Sequence, residues 1–220
     1  MSSRVTHEQL APLPRPQLLT TRSAAVPAMM GAMDLCDALD IAVDGFRVRL
    51  AQAGADAWGR PTPCEEWDVR FLVAHVVGGN RFGALILDGA QADDALAAVL
   101  ATRQVGDDPV ADLDDSYAEL LPRFRRPGAL DGTVHHLSGD VPAGRFLEMR
   151  VYDVALHTWD LARALAVDDR LDAGLAATVL GVVTGWAGEP EGPGASAEAT
   201  RRRLLEVTGR RADWAAPGRP

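Results

Sequence analysis

Apolar residues recur at helical spacing along most of this chain, in segments separated by glycine and proline. The first segment starts at Met33 and places its apolar residues on one helix face, so it predicts a helix that ends near Gly54. The same spacing predicts further helices at about 68–87, 109–124, 146–166, 171–186 and 197–207. The chain is therefore expected to be all-α.

Two stretches break this helical pattern. Closely spaced glycine and proline residues at 127–144 exclude a long helix, and a short hairpin is expected at about 135–146. Residues 88–106 are expected to form a loop with room for a short helix. Residues 1–31 contain several prolines and no sustained periodicity. The resulting division is a disordered extension, one helical domain and a disordered tail, at 1–31, 32–214 and 215–220.

Three ionisable residues lie on one side of the helix predicted around VYDVALHTWDLARA. At about 100° per residue, Asp153, His157 and Asp160 fall within a sector of roughly 60°. A carboxylate and an imidazole four residues apart can reach one point in space, as two metal ligands of a single helix do. The alternative is an ordinary solvated pair, because 31 of the 220 residues are acidic.

A further histidine lies on the apolar face of the second predicted helix. His75 shares this face with Leu72, Gly78, Gly79 and Phe82. A histidine in such a place is usually a hydrogen-bonded core residue, but the two glycines leave a space beside the ring that favours a pocket. The tryptophans at 67 and 159 are expected to pack between helices, away from the face that carries the ionisable residues.

Composition narrows the classes of protein. The chain is 47% hydrophobic with a net charge of -9, and it has no basic stripe with interleaved aromatic residues, so nucleic-acid binding is not expected. Cys36 and Cys64 lack a CxxC spacing, which argues against a disulfide framework and a cysteine-rich zinc site. Neither a membrane span nor a secretory signal is evident, so a cytoplasmic protein that does not bind membranes is expected.

Three separated motifs resemble a known family. They are PTPCEEWDVRFLVAHVVGG, VYDVALHTWDLARA and RLLEVTGRRADW, in this order between Met33 and Trp214. Together they look like the small proteins related to the metal-binding domain of mycothiol-dependent maleylpyruvate isomerase. The resemblance implies a DinB-like four-helix bundle, to which the sequence pattern adds extra C-terminal helices and a short hairpin before the fourth helix.

The resemblance also implies a set of metal ligands. In the family a divalent metal, typically zinc, is held by a histidine of the second helix and by an acid and a histidine four residues apart on a later helix. The matching positions here are His75, Asp153 and His157. The isomerase domain has glutamate where this chain has Asp153, and carboxylate ligation is expected to survive this change. The isomerases generally carry an additional C-terminal domain, so their particular activity does not transfer directly.

Such a site implies an enzyme that uses zinc and a low-molecular-weight thiol such as mycothiol. It would act through a metal thiolate on a small electrophile, as a transferase or as a maleylpyruvate isomerase-like isomerase. Asp160 is the catalytic candidate, because it can hold a ligating imidazole or accept the thiol proton. Its alternative role is a salt bridge with an arginine at the edge of the bundle.

Two other functions stay open at this point. One is a non-catalytic metal-binding module that serves as a sensor or binds a partner. The other is a structural bundle in which the polar stripe is a hydrogen-bonded network. A homodimer that pairs through the apolar fifth helix is a further hypothesis.

Overall fold

The computed structural model describes residues 33–102, 105–187 and 196–216. The predicted extension 1–31 and most of the predicted tail lie outside these residues. The described helices are α1 (Leu35–Leu50), α2 (Val69–Leu87), α3 (Ala92–Leu100), α4 (Pro109–Phe124), α5 (Ala143–Leu165), α6 (Ala173–Ala187) and α7 (Ala197–Val207). Strands β1 (Thr133–His136) and β2 (Gly139–Pro142) form an antiparallel hairpin directly before α5. The expected mainly helical fold with a hairpin is confirmed.

Several helices begin where side chains satisfy the first backbone N–H groups. The carboxylate of Asp68 accepts from the N–H of Phe71 at 2.8 Å and starts α2. Asp108 accepts from the N–H of Ala111 at 3.1 Å, and Pro109 occupies the first turn of α4. These two helices start at the predicted residues because capping is a local property of the sequence.

The core lies inside a ring of four helices. α1 packs against α5 and α4, and α2 packs against the same two helices. The interior is filled by large side chains that are almost fully buried, among them Leu39, Phe46, Leu72, Leu120, Phe124, Phe146 and Trp159. α6 packs against α5 and α7 outside this ring. None of the helices within the described ranges is long and apolar enough to cross a bilayer.

The structure differs from the predicted elements around the motif helix. Residues 88–106, which were expected to form a loop with room for a short helix, contain the nine-residue helix α3. The helix that carries the motif is therefore the fifth in the chain, α5, and not the fourth. The hairpin occupies Thr133–Pro142 and ends earlier than expected. α5 therefore begins at Ala143, three residues before the predicted start at Phe146. The hairpin needs only a two-residue turn, which leaves more chain for the helix.

α5 provides the interior wall of the candidate site. Between Val151 and Leu165, every residue except Tyr152 and Arg163 is buried. Asp153, His157 and Asp160 consequently lie in the protein interior and not on a solvated face. A buried charge is costly unless it is paired or binds a metal, so the partners of these residues decide what the site can do.

Candidate metal centre

Three residues converge between α2 and α5. Oδ1 of Asp153 lies 3.2 Å from Nε2 of His75 and 3.3 Å from Nε2 of His157. The ligand atoms that the three residues offer all lie within 4.8 Å of one another. His157 is fully buried and Asp153 is 7% exposed. The three residues predicted as ligands are thus brought together by helices that are distant in sequence.

The donor set fits a divalent metal ion. Tetrahedral zinc with bonds of about 2.0–2.1 Å to nitrogen and oxygen has ligand atoms about 3.3–3.4 Å apart, close to the two separations around Asp153. Nε2 of His157 is a buried nitrogen without a hydrogen-bond partner among the described residues, although it faces Oδ1 of Asp153. A metal would satisfy this nitrogen, which a purely hydrogen-bonded core leaves unpaired.

The second oxygen of Asp153 has a different partner. Arg150, one turn earlier on α5, donates from its guanidinium to Oδ2 at 2.8 Å. The same guanidinium donates to Oδ1 of Asn80 at 2.8 Å. It lies where Gly79 has no side chain, since a Cβ at Gly79 would come within 2.5 Å of it. The space predicted beside the two glycines is therefore occupied, at Gly79, by an arginine and not by a pocket.

Asp160 lies on the opposite side of the His157 ring. Its Oδ2 is 3.0 Å from Nδ1 of His157 and accepts the N–H of that nitrogen. Arg210, which follows α7, donates to Oδ2 at 3.0 Å and to Oδ1 at 3.4 Å. Asp160 is fully buried. Asp160 thus contacts the Nδ1 side of the His157 ring and pairs with an arginine in the interior and not at the bundle edge, and its catalytic role stays a prediction.

The loop before α2 brings Cys64 to the site. Sγ of Cys64 lies 3.3 Å from Oδ2 of Asp160 and 3.9 Å from Nδ1 of His157. Cys64, His157 and Asp160 form a second group of metal-ligand type. This group is the weaker candidate, because Arg210 donates to both oxygens of Asp160, whereas Arg150 donates only to Oδ2 of Asp153.

Trp67 packs against the core, as expected, but the prediction that it lies away from the ionisable residues is wrong. Its ring centroid lies 4.9 Å from that of His75 and 5.5 Å from that of His157, so it covers the site. Trp159 is fully buried, as expected. Trp67 immediately precedes Asp68, the cap of the helix that carries His75, and this short spacing was the available signal.

The buried charges shift the pKa values of the metal-free site. Burial opposes ionisation of Asp153, but the facing imidazoles of His75 and His157 bring the pKa of this carboxyl well below its usual range. Burial lowers the pKa of His75 and outweighs the nearby carboxylate of Asp153. For His157 burial acts in the same direction, yet Asp153 and Asp160 outweigh it and raise its pKa well above the usual value. The carboxylates of Asp153 and Asp160 therefore favour the charged form of the His157 imidazole.

The fold and the converging donors define a helical protein with an interior candidate metal centre. The model of the mycothiol maleylpyruvate isomerase N-terminal domain matches residues 39–162, more than half of the chain. The chain belongs to this family, as the resemblance of its three motifs predicted.

Relatives and solved structures agree with this assignment. The uncharacterized proteins Rv0738 of Mycobacterium tuberculosis strain H37Rv and MT0763 of strain CDC 1551 / Oshkosh are each 34% identical over 167 residues, covering 74% of this chain and 85% of theirs. A crystal structure of the mycothiol-dependent maleylpyruvate isomerase matches with a TM-score of 0.59 at 18% identity, over 84% of this chain and 92% of that one. A histidine-to-alanine mutant structure matches with a TM-score of 0.53 at 19% identity, over 73% and 75%. The DinB-like fold is confirmed.

Proposed function

We propose that this protein is a zinc enzyme that uses mycothiol, or a similar low-molecular-weight thiol, to transfer or isomerise a small electrophile. The observation that carries the proposal is the convergence of Nε2 of His75, Oδ1 of Asp153 and Nε2 of His157 in the protein interior. Two imidazoles and one carboxylate leave at least one position open to a thiol or water. Membership in the family supports the choice of mycothiol.

Each residue of the proposed site has a physical task. His75, Asp153 and His157 would hold the metal, which would supply a Lewis acid that lowers the pKa of an entering thiol. Asp160 accepts the N–H of His157 at Nδ1 and so directs Nε2 of the same ring toward the metal. We assign Asp160 to positioning and not to proton transfer, because Arg210 already binds both of its oxygens.

Zinc is preferred over manganese or magnesium because the donor set contains two imidazoles and only one carboxylate. A thiol cosubstrate also agrees with action in the cytoplasm, which we propose as its location. The fifth helix of the sequence pattern is α6 in the structure, and the homodimer through this helix stays a prediction. Its test is the mass of the protein in solution, measured by light scattering.

The burial of the site favours a second candidate function. The side chain of His75 is 12% exposed, that of Asp153 is 9% exposed and that of His157 is not exposed. Trp67 lies across both histidine rings. A metal enclosed in this way would suit a sensor or partner-binding module that performs no chemistry, as structural metal sites are closed.

Metal content is the first test. Protein purified without chelator or affinity metal is analysed by mass spectrometry, beside His75→Ala, His157→Ala and the control His135→Ala, which changes an exposed histidine paired with Asp140. We expect about one equivalent of zinc in the parent and the control and almost none in the two site variants. Stoichiometric zinc in His157→Ala would contradict the ligand assignment.

Activity separates the two candidate functions. Zinc-loaded protein is incubated with mycothiol and maleylpyruvate, and separately with mycothiol and a panel of small electrophiles. Turnover that disappears in His157→Ala and persists in His135→Ala supports the enzyme. Stoichiometric zinc without isomerisation or thiol consumption in any of these reactions would favour the non-catalytic module.

A further inference from the structure

The guanidinium of Arg150 is held more firmly than an ordinary salt bridge requires. The side chains of Arg150 and Asp153 are 7% and 9% exposed, so their ion pair is almost fully removed from water. Besides Oδ2 of Asp153, the guanidinium contacts Oδ1 of Asn80 at 2.8 Å and the carbonyl oxygen of Val76 at 3.4 Å. The guanidinium thus has partners on both α2 and α5.

The surrounding residues contact this guanidinium from several sides. A Cβ at Gly79 would come within 2.5 Å of it, so the missing side chain of Gly79 leaves room for the guanidinium. Asn80 is oriented in turn, because its Nδ2 donates to Oγ of Ser116 on α4 at 3.1 Å and this hydroxyl donates to the carbonyl of Leu113 at 2.9 Å. Asn80 and Ser116 are fully buried. A chain of hydrogen bonds from three helices therefore determines where Arg150 meets Asp153.

The contact between Arg150 and Asp153 gives the two carboxylate oxygens of Asp153 different partners. Oδ2 of Asp153 receives the guanidinium, whereas Oδ1 faces the two imidazole nitrogens. While Oδ2 is bound to Arg150, His75, Asp153 and His157 offer one donor atom each, and three donors suit a four-coordinate ion such as zinc. With Oδ2 released, the same carboxylate would offer a fourth, and manganese prefers additional oxygen ligands in octahedral geometry.

We infer that Arg150 is a metal-specificity residue, which restricts Asp153 to contact through one oxygen and thereby favours four-coordinate zinc over six-coordinate manganese. The inference rests on the proposed metal centre. The hydrogen bonds of Arg150 go to Asp153, Asn80 and Val76 and not to either histidine, so it is a positioning residue that acts through Asp153.

Comparing the affinities for Zn²⁺ and Mn²⁺ separates the effect of Arg150 on metal specificity from the general effect of its positive charge. Removing the guanidinium also removes a positive charge beside the metal, which would strengthen the binding of every divalent ion to a similar extent. The ratio of the Kd values for Zn²⁺ and Mn²⁺ cancels most of that effect. A purely structural arginine would change stability and leave the ratio unchanged.

The experiment measures both Kd values by competition with a chromophoric chelator. In Arg150→Met we expect the preference for zinc over manganese to fall by about tenfold, the lower end of the usual effect of removing an outer partner of a ligand. Arg150→Lys keeps the charge and one donor and should retain most of the preference. The control is Arg49→Met, because Arg49 is also buried but donates to the backbone carbonyls of Asp168 and Arg170.

The visible spectrum of Co²⁺-substituted protein provides a second readout. The parent and Arg49→Met should show the intense absorption of four-coordinate cobalt, and Arg150→Met should show a weaker band from a higher coordination number. An unchanged ratio together with an unchanged cobalt spectrum in folded Arg150→Met would overturn the inference and leave the metal centre intact.

Two further outcomes have defined meanings. If Arg150→Met loses its helical circular dichroism, Asn80→Ala replaces it, since this variant keeps the arginine but removes an acceptor that orients it. A weaker preference for zinc over manganese in folded Asn80→Ala supports the inference, and an unchanged preference overturns it. Failure of the parent to bind any metal would overturn the proposed function and the inference together.

Discussion

Asp153 and Asp160 are two buried aspartates on the same face of α5, on opposite sides of one imidazole. Each is paired with an arginine, the buried Arg150 or the partly buried Arg210. Arg150 binds only Oδ2 of Asp153, which leaves Oδ1 facing the two histidines, whereas Arg210 binds both oxygens of Asp160. Two residues of the same type, with similar burial, are therefore suited to different tasks, and their arginine partners make the difference.

The two arginines also lie in different parts of the chain. Arg150 lies on α5 itself, three residues before Asp153. Arg210 lies 50 residues after Asp160 and belongs to the segment that follows α7. The side of the imidazole that faces Asp153 and His75 is thus organised mainly by α5 and α2, and the other side depends on docking of the C-terminal segment.

The largest expected effect comes from Asp153→Asn. The amide keeps the size of the side chain but removes the charge of the proposed ligand, so zinc retained after purification should fall from about one equivalent to nearly none. Metal content by mass spectrometry checks this. Asp88→Asn is the control, because Asp88 pairs with surface arginines far from α5 in sequence. Full zinc occupancy in Asp153→Asn would remove the distinction between the two aspartates.

Asp160→Asn should have a smaller effect. The amide can still accept from Nδ1 of His157, but it no longer carries the charge that polarises the ring and pairs with Arg210. We expect the protein to bind one zinc with an affinity about 10- to 100-fold lower, measured by chelator competition. Complete loss of zinc here, with retention in Asp153→Asn, would reverse the assignment.

The pH dependence of zinc binding tests the imidazole between the two acids. The pKa of His157 is raised in the metal-free protein, so zinc must displace a proton below that pKa. Apparent zinc affinity should fall by about tenfold for each pH unit below it and level off above it. By the same linkage, protonated His157 stabilises the metal-free fold below its ordinary pKa, and this contribution is lost as the pH rises through the raised value.

Asp160→Asn sharpens this pH test. Removing the charge of Asp160 takes away one of the groups that raise the pKa of His157, so the plateau of zinc affinity should begin at a lower pH than in the parent. Chelator competition across a pH series measures both curves. Identical curves would show that Asp160 does not act on the His157 ring.

The smallest effect is expected from Cys64→Ala. Cys64 contacts Asp160 and the Nδ1 side of His157, away from the Nε2 atom that faces Asp153. Loss of one thiol hydrogen bond should change zinc affinity by less than about tenfold. Cys36→Ala serves as the control, because Cys36 is a free, buried cysteine of α1. Loss of zinc in Cys64→Ala alone would identify the second donor group as the metal site.

The sequence by itself determined the local features of this protein. Periodicity predicted the main helices, and the residues at 68 and 109 placed two of their starts correctly. Spacing within one helix put Asp153, His157 and Asp160 on one side, because relative directions along a helix depend only on its geometry. The family motifs added His75, which periodicity had placed only on a core face.

Only the tertiary structure decided what each of these side chains contacts. It placed Arg150 in the space left by Gly79, brought Arg210 to Asp160 and laid Trp67 across the histidines. Local patterns do not encode such contacts, since they join residues up to 96 positions apart, as between Cys64 and Asp160. Helical spacing predicts the direction of a side chain, whereas the packing of helices and loops determines which carboxylate oxygen is left for a metal.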